Sequence, residues 1–415
     1  MNVALVGFGT VGQAAARLMA GRSDLLRLTH VCNRQVARKR VDWLPGVTWT
    51  DRFDDVLHAD VDVVVELIGG LDPAGTWVQR ALEAGKSVVT ANKQLIATRG
   101  TELLTLASKH QRHLGFEAAV AGGIPVIRAI REGLAADEIE CVSGILNGTC
   151  NYILTQMEST HRPFDVALAE AQQKGFAEAD PTDDLDGYDA RAKLCILARV
   201  GLRTGLEPAS VSCRSIRPVR DLDFVYGGRL GCTIRQVSRV QRADEAGRVV
   251  AWVQPVLVRH TSPLARVSAN QNMVLVQGRT GGETTYSGFG AGGGPTAVAV
   301  LSDLIAIAEH GHSTLPERMT RVALPSRVSQ DFRAPYYLRF VVRDRPGIIA
   351  AIAVALAKYD INIDSVLQEP SPSKQGLPFV VTLEESDPVA LGLALGEIAA
   401  HEFHVEPPLA LPIIG

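Results

Sequence analysis

The chain has 415 residues, of which 46% are hydrophobic and 21% charged, and its formal net charge is −3. These values indicate a globular protein of two or three domains and exclude dominant disorder. The small negative charge also argues against a nucleic-acid partner, which a basic excess would favour. No apolar run approaches the ~20 residues of a bilayer span, which argues against a membrane partner.

The cysteines and the N-terminus indicate the compartment. The six cysteines are widely spaced and form no CxxC pair, which argues against a zinc site or a disulfide framework. The opening residues, MNVALVGFG, lack the basic region and apolar stretch of a secretory signal. We therefore expect a cytoplasmic protein with reduced thiols.

A strand, a glycine turn and a helix open the chain. Residues 3–6 form a continuous apolar run typical of a buried parallel strand, and GFGTVG at 7–12 precedes a helical pattern. Here Gly7 permits the tight turn, Gly9 lets a pyrophosphate approach the backbone, and Gly12 allows close helix–strand packing. The N–H groups of the helix N-terminus bind phosphate. The pattern predicts a Rossmann-type dinucleotide-binding domain.

Cations after the second strand indicate which dinucleotide binds. A strand over 28–32 is followed by Asn33 and Arg34, where an NAD-selective enzyme carries an acidic residue for the ribose 2′-hydroxyl. The basic run at 38–40 is either a solvated helix face or part of a site for a 2′-phosphate. We expect NADP(H) to be favoured over NAD(H), with Arg34 as a contact.

Further strand–helix units follow. A strand over 61–67, a helix over 74–84 and a strand over 87–90 extend the sheet, and Lys93 comes after the last of these. Ligands in such sheets bind outside the carboxyl ends of the strands, so Lys93 is placed to meet cofactor or substrate. Residues 117–125 are predicted to form another strand that runs into a glycine turn and a helix.

The stretch 175–193 is the richest in candidate functional residues, with six carboxylates between 178 and 189. A calcium loop is excluded, because Lys193 occupies the position that needs a bidentate Glu. Two interpretations remain. Acids near a helix N-terminus complement its dipole, or Asp189 and Lys193, four residues apart on one helix face, belong to an active site. The spacing alone does not decide between them.

A third glycine cluster, at 288–296, precedes a helix over 297–309. It is either a flexible linker or backbone that passes close to a ligand, and its position before a well-formed helix favours the ligand. We expect the helix at 295–310 to return to the dinucleotide-binding domain.

The pattern changes after a proline-bounded segment at 325–335. Strand and helix patterns then follow in the order βαββαβ, a ferredoxin-like arrangement. We expect few contacts to cross the segment. The predicted domains are 1–130 for dinucleotide binding, an α/β substrate-binding and dimerisation domain at 131–294, a linker at 311–335 and the ferredoxin-like domain at 336–415.

Together these motifs resemble the homoserine dehydrogenase family. The matching blocks, in the family's order, are GFGTVG (7–12), TANK (90–93), AGGIP (121–125), GILNGTCNYIL (144–154), GFAEADPTDDLDGYDARAK (175–193) and GAGGGPTA (290–297). The block at 175–193 is highly specific. The resemblance implies reduction of L-aspartate 4-semialdehyde to L-homoserine with NAD(P)H, in threonine, methionine and isoleucine biosynthesis, by the form without an aspartate kinase.

The resemblance also implies roles by motif position. Lys193 is the implied general acid, Asp189 binds substrate and orients Lys193, and Lys93 lies near nicotinamide and substrate. Glu178 is implied to bind the substrate's amino group, and Asp184 to make a further polar contact. The positions that match cofactor contacts are Thr10, Val11 and Gly292. The positions that match a sodium site, built mainly from backbone carbonyls, are Glu117, Val120, Gly122 and Ile124.

The last domain resembles an ACT domain. DRPGIIAAIA (344–353) opens its first helix, and INIDSV (361–366) follows. Such domains commonly bind amino acids at a dimer interface, which implies threonine as an effector and a homo-oligomer, either a dimer or a tetramer. An ACT domain that only dimerises is the alternative.

Two other functions stay open on the residues alone. One is another NAD(P)-dependent oxidoreductase of amino-acid metabolism. An aldehyde-acylating enzyme would need a nucleophilic cysteine beside a histidine, and none of the six cysteines has such a setting. The other is a sensor that binds NADP and threonine without catalysis, which the presence of both Lys193 and Asp189 disfavours.

Overall fold

The structure of the chain is a computed structural model, and it describes residues 1–244, 247–310, 322–325, 327–329, 331–369 and 374–415. Residues 311–321, most of the first half of the predicted linker, lie outside the described residues. Among the helices that the structure describes, none is both long and apolar enough to cross a membrane.

The N-terminal part is a parallel sheet with helices on both faces. Its elements are β1 (Asn2–Val6), α1 (Thr10–Ala20), β2 (Arg27–Cys32), α2 (Val36–Lys39), β3 (Thr48–Thr50), α3 (Phe53–His58), β4 (Val63–Glu66), α4 (Ala74–Glu83), β5 (Ser87–Thr90), α5 (Lys93–Lys109) and β6 (Leu114–Gly115). The strands are all parallel, in the order β3-β2-β1-β4-β5-β6. This is the order of the Rossmann fold, so the predicted fold of this part is confirmed.

The second part begins with a short helix and contains most of a large sheet. Its elements are α6 (Val126–Arg128), β7 (Ile139–Ile145), α7 (Gly148–Thr160), α8 (Phe164–Gln173), α9 (Thr182–Leu185), α10 (Tyr188–Leu197), β8 (Ser212–Cys213), α11 (Asp221–Arg229), β9 (Cys232–Arg242), β10 (Arg248–Arg259), β11 (Gln271–Gly278), β12 (Gly282–Phe289) and α12 (Gly293–His310). Helix α12 packs against α1, and Val300 and Leu304 share a core with Leu5 and Met19 of the parallel sheet and α1.

The C-terminal part has the predicted βαββαβ order. Its elements are β13 (Arg327–Ser329), β14 (Ala334–Val342), α13 (Ile348–Lys358), β15 (Ile363–Gln368), β16 (Leu377–Ser386), α14 (Pro388–Ala399) and β17 (Leu409–Ile414). The four main strands lie in the order β17-β14-β16-β15 and all pair antiparallel, as in a ferredoxin-like fold.

The second and third parts share one sheet of eleven strands. Its main path is β12-β11-β7-β9-β10-β17-β14-β16-β15. The last strand, β17, pairs with β14 on one side, and on the other its Ile413 and Ile414 pair in parallel with Leu257 and Val258 of β10. Strand β13, from within the predicted linker, also pairs with β10. The expectation that few contacts cross the segment at 325–335 is therefore wrong.

A buried ion pair joins the same two parts. Arg339 of β14 contacts the carboxylate of Asp223 on α11, and the hydroxyl of Tyr337 donates to the same carboxylate over 2.7 Å. Asp223 and Tyr337 are fully buried and Arg339 is 3% exposed. Burial raises the pKa of the Asp223 carboxyl, and the guanidinium of Arg339 opposes that rise. Removing one partner from such a pair leaves an uncompensated buried charge.

Residues 117–125 form the predicted glycine turn before a helix, α6, but they do not form the predicted strand. The preceding strand ends at Gly115, and Glu117–Ala119 form a 3-10 turn. Asp303 of α12 accepts the N–H of Glu117, while the Glu117 carboxylate accepts the N–H groups of Ile127 and Arg128. Glu117 thus bonds to α12 through its backbone N–H and to α6 through its carboxylate. The apolar pattern of the sequence does not reveal such bonds.

Replacing Arg339 with Met is expected to destabilise the protein by about 3–5 kcal/mol, because Asp223 stays buried without its cation. Urea unfolding followed by circular dichroism measures this. Arg333→Met is the matched control: Arg333 lies in the same domain and its pair with Glu385 is 61% and 66% exposed, so its loss should cost less than about 1 kcal/mol. Equal effects of the two substitutions would contradict the interdomain role of Arg339.

Candidate active site

The glycine turn after β1 leaves room for a phosphate group. Gly7 has a φ of +104°, and a Cβ on Gly12 would lie 2.4 Å from the Gly7 carbonyl oxygen. Both positions therefore need glycine for the strand and helix to pack. A Cβ on Gly9 would meet nothing within 4 Å, so this face of the turn is open beside the first turn of α1, where Thr10 and Val11 lie.

The third glycine cluster lies against this turn. A Cβ on Gly293 would come within 2.8 Å of the Thr10 side chain, and Gly292 beside it has a φ of +114°. The cluster also touches the turn after β6, because a Cβ on Gly122 would lie 2.6 Å from the Gly290 carbonyl oxygen. The cluster is ordered backbone between two parts of the molecule, so the flexible-linker interpretation is wrong.

Arg34 lies at the same edge of the parallel sheet. The Gly7 N–H donates to the carbonyl of Cys32 at the end of β2, over 2.9 Å, so the residues after β2 lie next to the glycine turn. Arg34 is exposed, and it forms no ion pair with any residue that the structure describes. Its guanidinium is therefore free to contact a ligand at this edge.

The three residues expected to do chemistry come together around one carboxylate. Lys193 Nζ lies 2.7 Å from Asp189 Oδ2, and Lys93 Nζ lies 2.7 Å from Asp189 Oδ1. Asp189 and Lys193 stand one turn apart on α10, which starts after Gly187 in the left-handed region. Lys93 is the first residue of α5, a helix capped by the side chain of Asn92. The carboxylate thus binds ammonium groups from two helices in two parts of the chain.

The charges of this cluster set the protonation of Asp189. Burial would raise the pKa of its carboxyl, but the ammonium groups of Lys193 and Lys93 lower it well below the usual range. Burial would lower the pKa of Lys93, and the charge of Asp189 and its hydrogen bond more than offset this, so the pKa of Lys93 is raised. Asp189 is therefore ionised and Lys93 protonated at neutral pH.

An open cleft lies in front of Asp189 and has about 500 Å³ of empty volume. The side chain of Lys93 is 39% exposed there, whereas that of Lys193 is 11% exposed and lies deeper. The residues that line the cleft are Lys93, Gln94, Glu178, Asp180, Pro181, Asp183, Asp184 and Asp189. Glu178 and Asp184, expected to bind substrate, thus share a cleft with the lysine cluster, and its acidic wall suits a cationic group.

Asn147 belongs to this cluster and was given no role from the sequence. Its side-chain amide donates to Asp184 Oδ1 over 2.6 Å and to Asp189 Oδ2 over 2.9 Å. The preceding carbonyl, of Leu146, accepts from Lys193 Nζ over 2.8 Å. The available sequence signal is the block GILNGTCNYIL (144–154), which places Asn147 between a strand and a helix.

The positions expected to hold sodium lie in the turn after β6. Ala121 and Gly122 have φ values of +55° and +50°, so the chain curls between Val120 and Ile124. The Glu117 carboxylate faces away to cap α6, which leaves backbone carbonyls as the donors for an ion. Among the described residues there is no group of three or more His, Cys, Asp or Glu that could hold a metal.

Comparison with known families accounts for most of the chain. Residues 7–117 match the NAD-binding domain of homoserine dehydrogenase, residues 125–305 match homoserine dehydrogenase, and residues 336–402 match the ACT domain. A homoserine dehydrogenase of Mycobacterium leprae is 40% identical over 383 residues, which cover 89% of this chain and 86% of the relative.

Solved structures agree with the family matches. The crystal structure of a homoserine dehydrogenase from Thiobacillus denitrificans is similar with a TM-score of 0.91 and 32% identity, covering 100% of this chain and 98% of that one. A hyperthermophilic archaeal homoserine dehydrogenase in complex with NADPH is similar with a TM-score of 0.65 and 27% identity, and covers 76% of this chain and 99% of its own.

Proposed function

The chain belongs to the homoserine dehydrogenase family, whose members are NAD(P)-dependent oxidoreductases that interconvert L-aspartate 4-semialdehyde and L-homoserine, and from this premise we propose that Lys193 is the general acid of the reaction. The observation that carries the proposal is the Asp189 carboxylate, held between Lys193 and Lys93 at the floor of an open cleft.

Reduction of the aldehyde needs a proton at its oxygen. A bound nicotinamide dinucleotide supplies the hydride, and the glycine turn with its open face at Gly9 fits such a group. As negative charge develops on the substrate oxygen, the ammonium of Lys193 stabilises the charge and donates the proton. Lys93, on the other oxygen of Asp189, keeps one positive charge beside the carboxylate during this transfer.

The acidic wall of the cleft orients the substrate. We assign Glu178 to the amino group of the substrate and Asp184 to a further polar contact; both line the cleft with Lys93. Asp189 binds substrate and holds Lys193 in place through its hydrogen bond. We propose the biosynthesis of threonine, methionine and isoleucine as the pathway of the enzyme, as membership of the family implies.

We propose that the cofactor is NADP(H) in preference to NAD(H). Arg34 is exposed beside the glycine turn, and no acidic residue stands at the end of β2 to bind a ribose 2′-hydroxyl. A guanidinium at this edge suits a 2′-phosphate. Thr10, Val11, Gly292 and Lys93 complete the proposed cofactor contacts.

We further propose a sodium ion on the backbone carbonyls of Glu117, Val120, Gly122 and Ile124. The positive φ values in this turn, and its contact with the glycine cluster at Gly290, support an ion that fixes the turn. Burial and the neighbouring Asp303 raise the pKa of Glu117 to about 7, so a nearby cation would favour its charged form.

The C-terminal domain suits an amino-acid effector. A cleft at the start of α13 is lined by polar and apolar groups that include Asp344, Gly347, Gln368 and Phe379. We propose that it binds threonine and that the chain forms a homo-oligomer, a dimer or a tetramer, supported by the unpaired edges of β12 and β15 in the described sheet.

We also propose a cytoplasmic enzyme, since all six cysteines are free.

Lys193→Ala should lower kcat by at least ~100-fold and leave the dissociation constant of NADPH nearly unchanged, because proton donation belongs to the transition state. Steady-state NADPH oxidation and fluorescence titration measure the two quantities. Lys174→Ala is the control, since Lys174 pairs with Glu170 outside the cleft. A Lys193 variant with more than about a tenth of the wild-type kcat would refute the general-acid assignment.

Arg34→Ala should weaken NADPH binding about 10–150-fold and NADH binding much less, because a charge-assisted hydrogen bond to the 2′-phosphate contributes about 1.5–3 kcal/mol. Arg27→Ala provides the control, because Arg27 is an exposed arginine at the opposite end of β2. Equal losses for both cofactors would mean that Arg34 does not contact the 2′-phosphate.

Threonine should inhibit the full-length enzyme and raise its Tm, and Asp344→Ala should abolish both effects, because coupling needs contacts at a second site. The exposed Glu402 offers a control substitution to Ala in the same domain. Inhibition that persists in the Asp344 variant would place threonine in the active site instead. No inhibition and no change in Tm for the wild type would favour a domain that only dimerises.

A further inference from the structure

One dipeptide between β7 and α7 contacts Lys193 and the two carboxylates near it, Asp184 and Asp189. The Leu146 carbonyl accepts from Lys193 Nζ, and the Asn147 amide nitrogen donates to both Asp184 and Asp189. Asn147 is 3% exposed, so water does not compete for these bonds. The mechanism described above uses the lysine and the two carboxylates and leaves Asn147 without a task.

The orientation of the Asn147 amide is fixed by its other end. Asn147 is the N-cap of α7, and its side-chain oxygen accepts the N–H of Cys150 over 2.8 Å. An oxygen that accepts this bond leaves the NH₂ group facing the carboxylates. The NH₂ group has two hydrogens, one for each carboxylate. The amide therefore stands between Asp184 and Asp189 as a neutral double donor.

We propose that Asn147 is a positioning residue that separates the two carboxylates: it keeps Asp189 on Lys193 and keeps Asp184 as an independent, ionised group for its polar contact with the substrate. The inference rests on the proposed function, because it assumes that Lys193 is the acid and that Asp184 faces substrate. It adds a determinant of the pH range in which the substrate binds.

Two neighbouring carboxylates without such a donor have other options. They can share one proton, or Asp184 can compete with Asp189 for an ammonium group. Either outcome would weaken the hydrogen bond between Lys193 and Asp189. The titratable and charged groups that surround Asp184 are Asp189 and Lys193 from α10, Lys93 from α5, Cys150 from α7, and Asp183 and Asp186 on either side.

The direction of the effect follows from these neighbours. Burial and the charge of Asp189 raise the pKa of the Asp184 carboxyl, and the hydrogen bond from Asn147 opposes the rise. Loss of that bond must raise the pKa further, so Asp184 becomes neutral at a higher pH. Since kcat/KM reports the protonation of the free enzyme, its acid-side limb should move to higher pH.

Two substitutions remove the double donor and keep the helix cap. Asn147→Ser retains a good N-cap, but its hydroxyl is too short and has too few hydrogens to serve both carboxylates. Asn147→Asp also caps well, cannot donate, and adds a third carboxylate. We expect the acid-side midpoint of kcat/KM to rise by about one pH unit for Ser and at least as much for Asp, with NADPH affinity unchanged.

Asn151→Ser is the matched control. Asn151 lies one turn later on α7, is fully buried, and donates to the backbone carbonyls of Val267, Ala269 and Gln271, with no bond to either carboxylate. Its loss should lower Tm and leave the midpoint in place. An equal shift in the Asn151 variant, or none in folded Asn147→Ser and Asn147→Asp, would overturn the proposal.

The Lys193→Ala variant separates this inference from its premise. If Lys193→Ala keeps its kcat, the general-acid assignment fails, whatever the Asn147 variants do. If Lys193→Ala loses activity and both Asn147 variants keep the wild-type pH profile with a wild-type Tm, the acid assignment stands and the positioning role of Asn147 is wrong. A shifted midpoint together with an impaired Lys193 variant supports both.

Discussion

The Asp189 carboxylate binds ammonium groups from two parts of the molecule, and this constraint requires α5 and α10 to pack together. A buried carboxylate is unfavourable unless it is paired. Helix α5 must therefore hold Lys93, and α10 must hold Lys193, within hydrogen-bond distance of Asp189. Their packing supports this, because apolar residues of both helices form one core. Arg199, which follows α10, packs over Gly100 of α5, where a Cβ on the glycine would lie 3.2 Å from Arg199 Nε. The Arg199 guanidinium also donates to the hydroxyl of Thr101. The Asp189 cluster therefore lies where α5 and α10 pack together.

The C-terminal domain is joined to the second part of the chain by a shared sheet and a buried ion pair. Strand β17 fills the gap between β10 and β14, and the Asp223–Arg339 pair lies buried across the same boundary. The archaeal relative covers only 76% of this chain, so a shorter architecture exists in the family. In this chain, however, the edge of β10 is completed by the C-terminal strand. The C-terminal domain thus belongs to a sheet that reaches β7, which ends beside Asn147.

The sequence predicts those features of the protein that depend on residues close together in the chain. GFGTVG follows its strand directly, Asp189 and Lys193 share one helix face, and the βαββαβ order lies in consecutive residues. What failed depends on distant partners. The strand expected within residues 117–125 does not form, because the apolar run gives no sign of the hydrogen bond between Glu117 and Asp303. The pairing of β17 with β10 was missed because it joins residues far apart in the chain. The contacts of Asn147 involve two acceptors that are remote in sequence. The sequence likewise indicates a sheet edge for Lys93 but carries no sign of its contact with Asp189.

The position of β17 also affects how the protein is made. A chain emerges from the ribosome N-terminal end first, and domains generally fold in that order. The strand that completes the middle of the large sheet is the final one, Leu409–Ile414. Until it is made, Leu257 and Val258 of β10 lack their partners in β17, whereas β8 and β13 pair with other residues of β10. The catalytic part and the C-terminal part therefore become one continuous sheet only after residues 409–414 have been made.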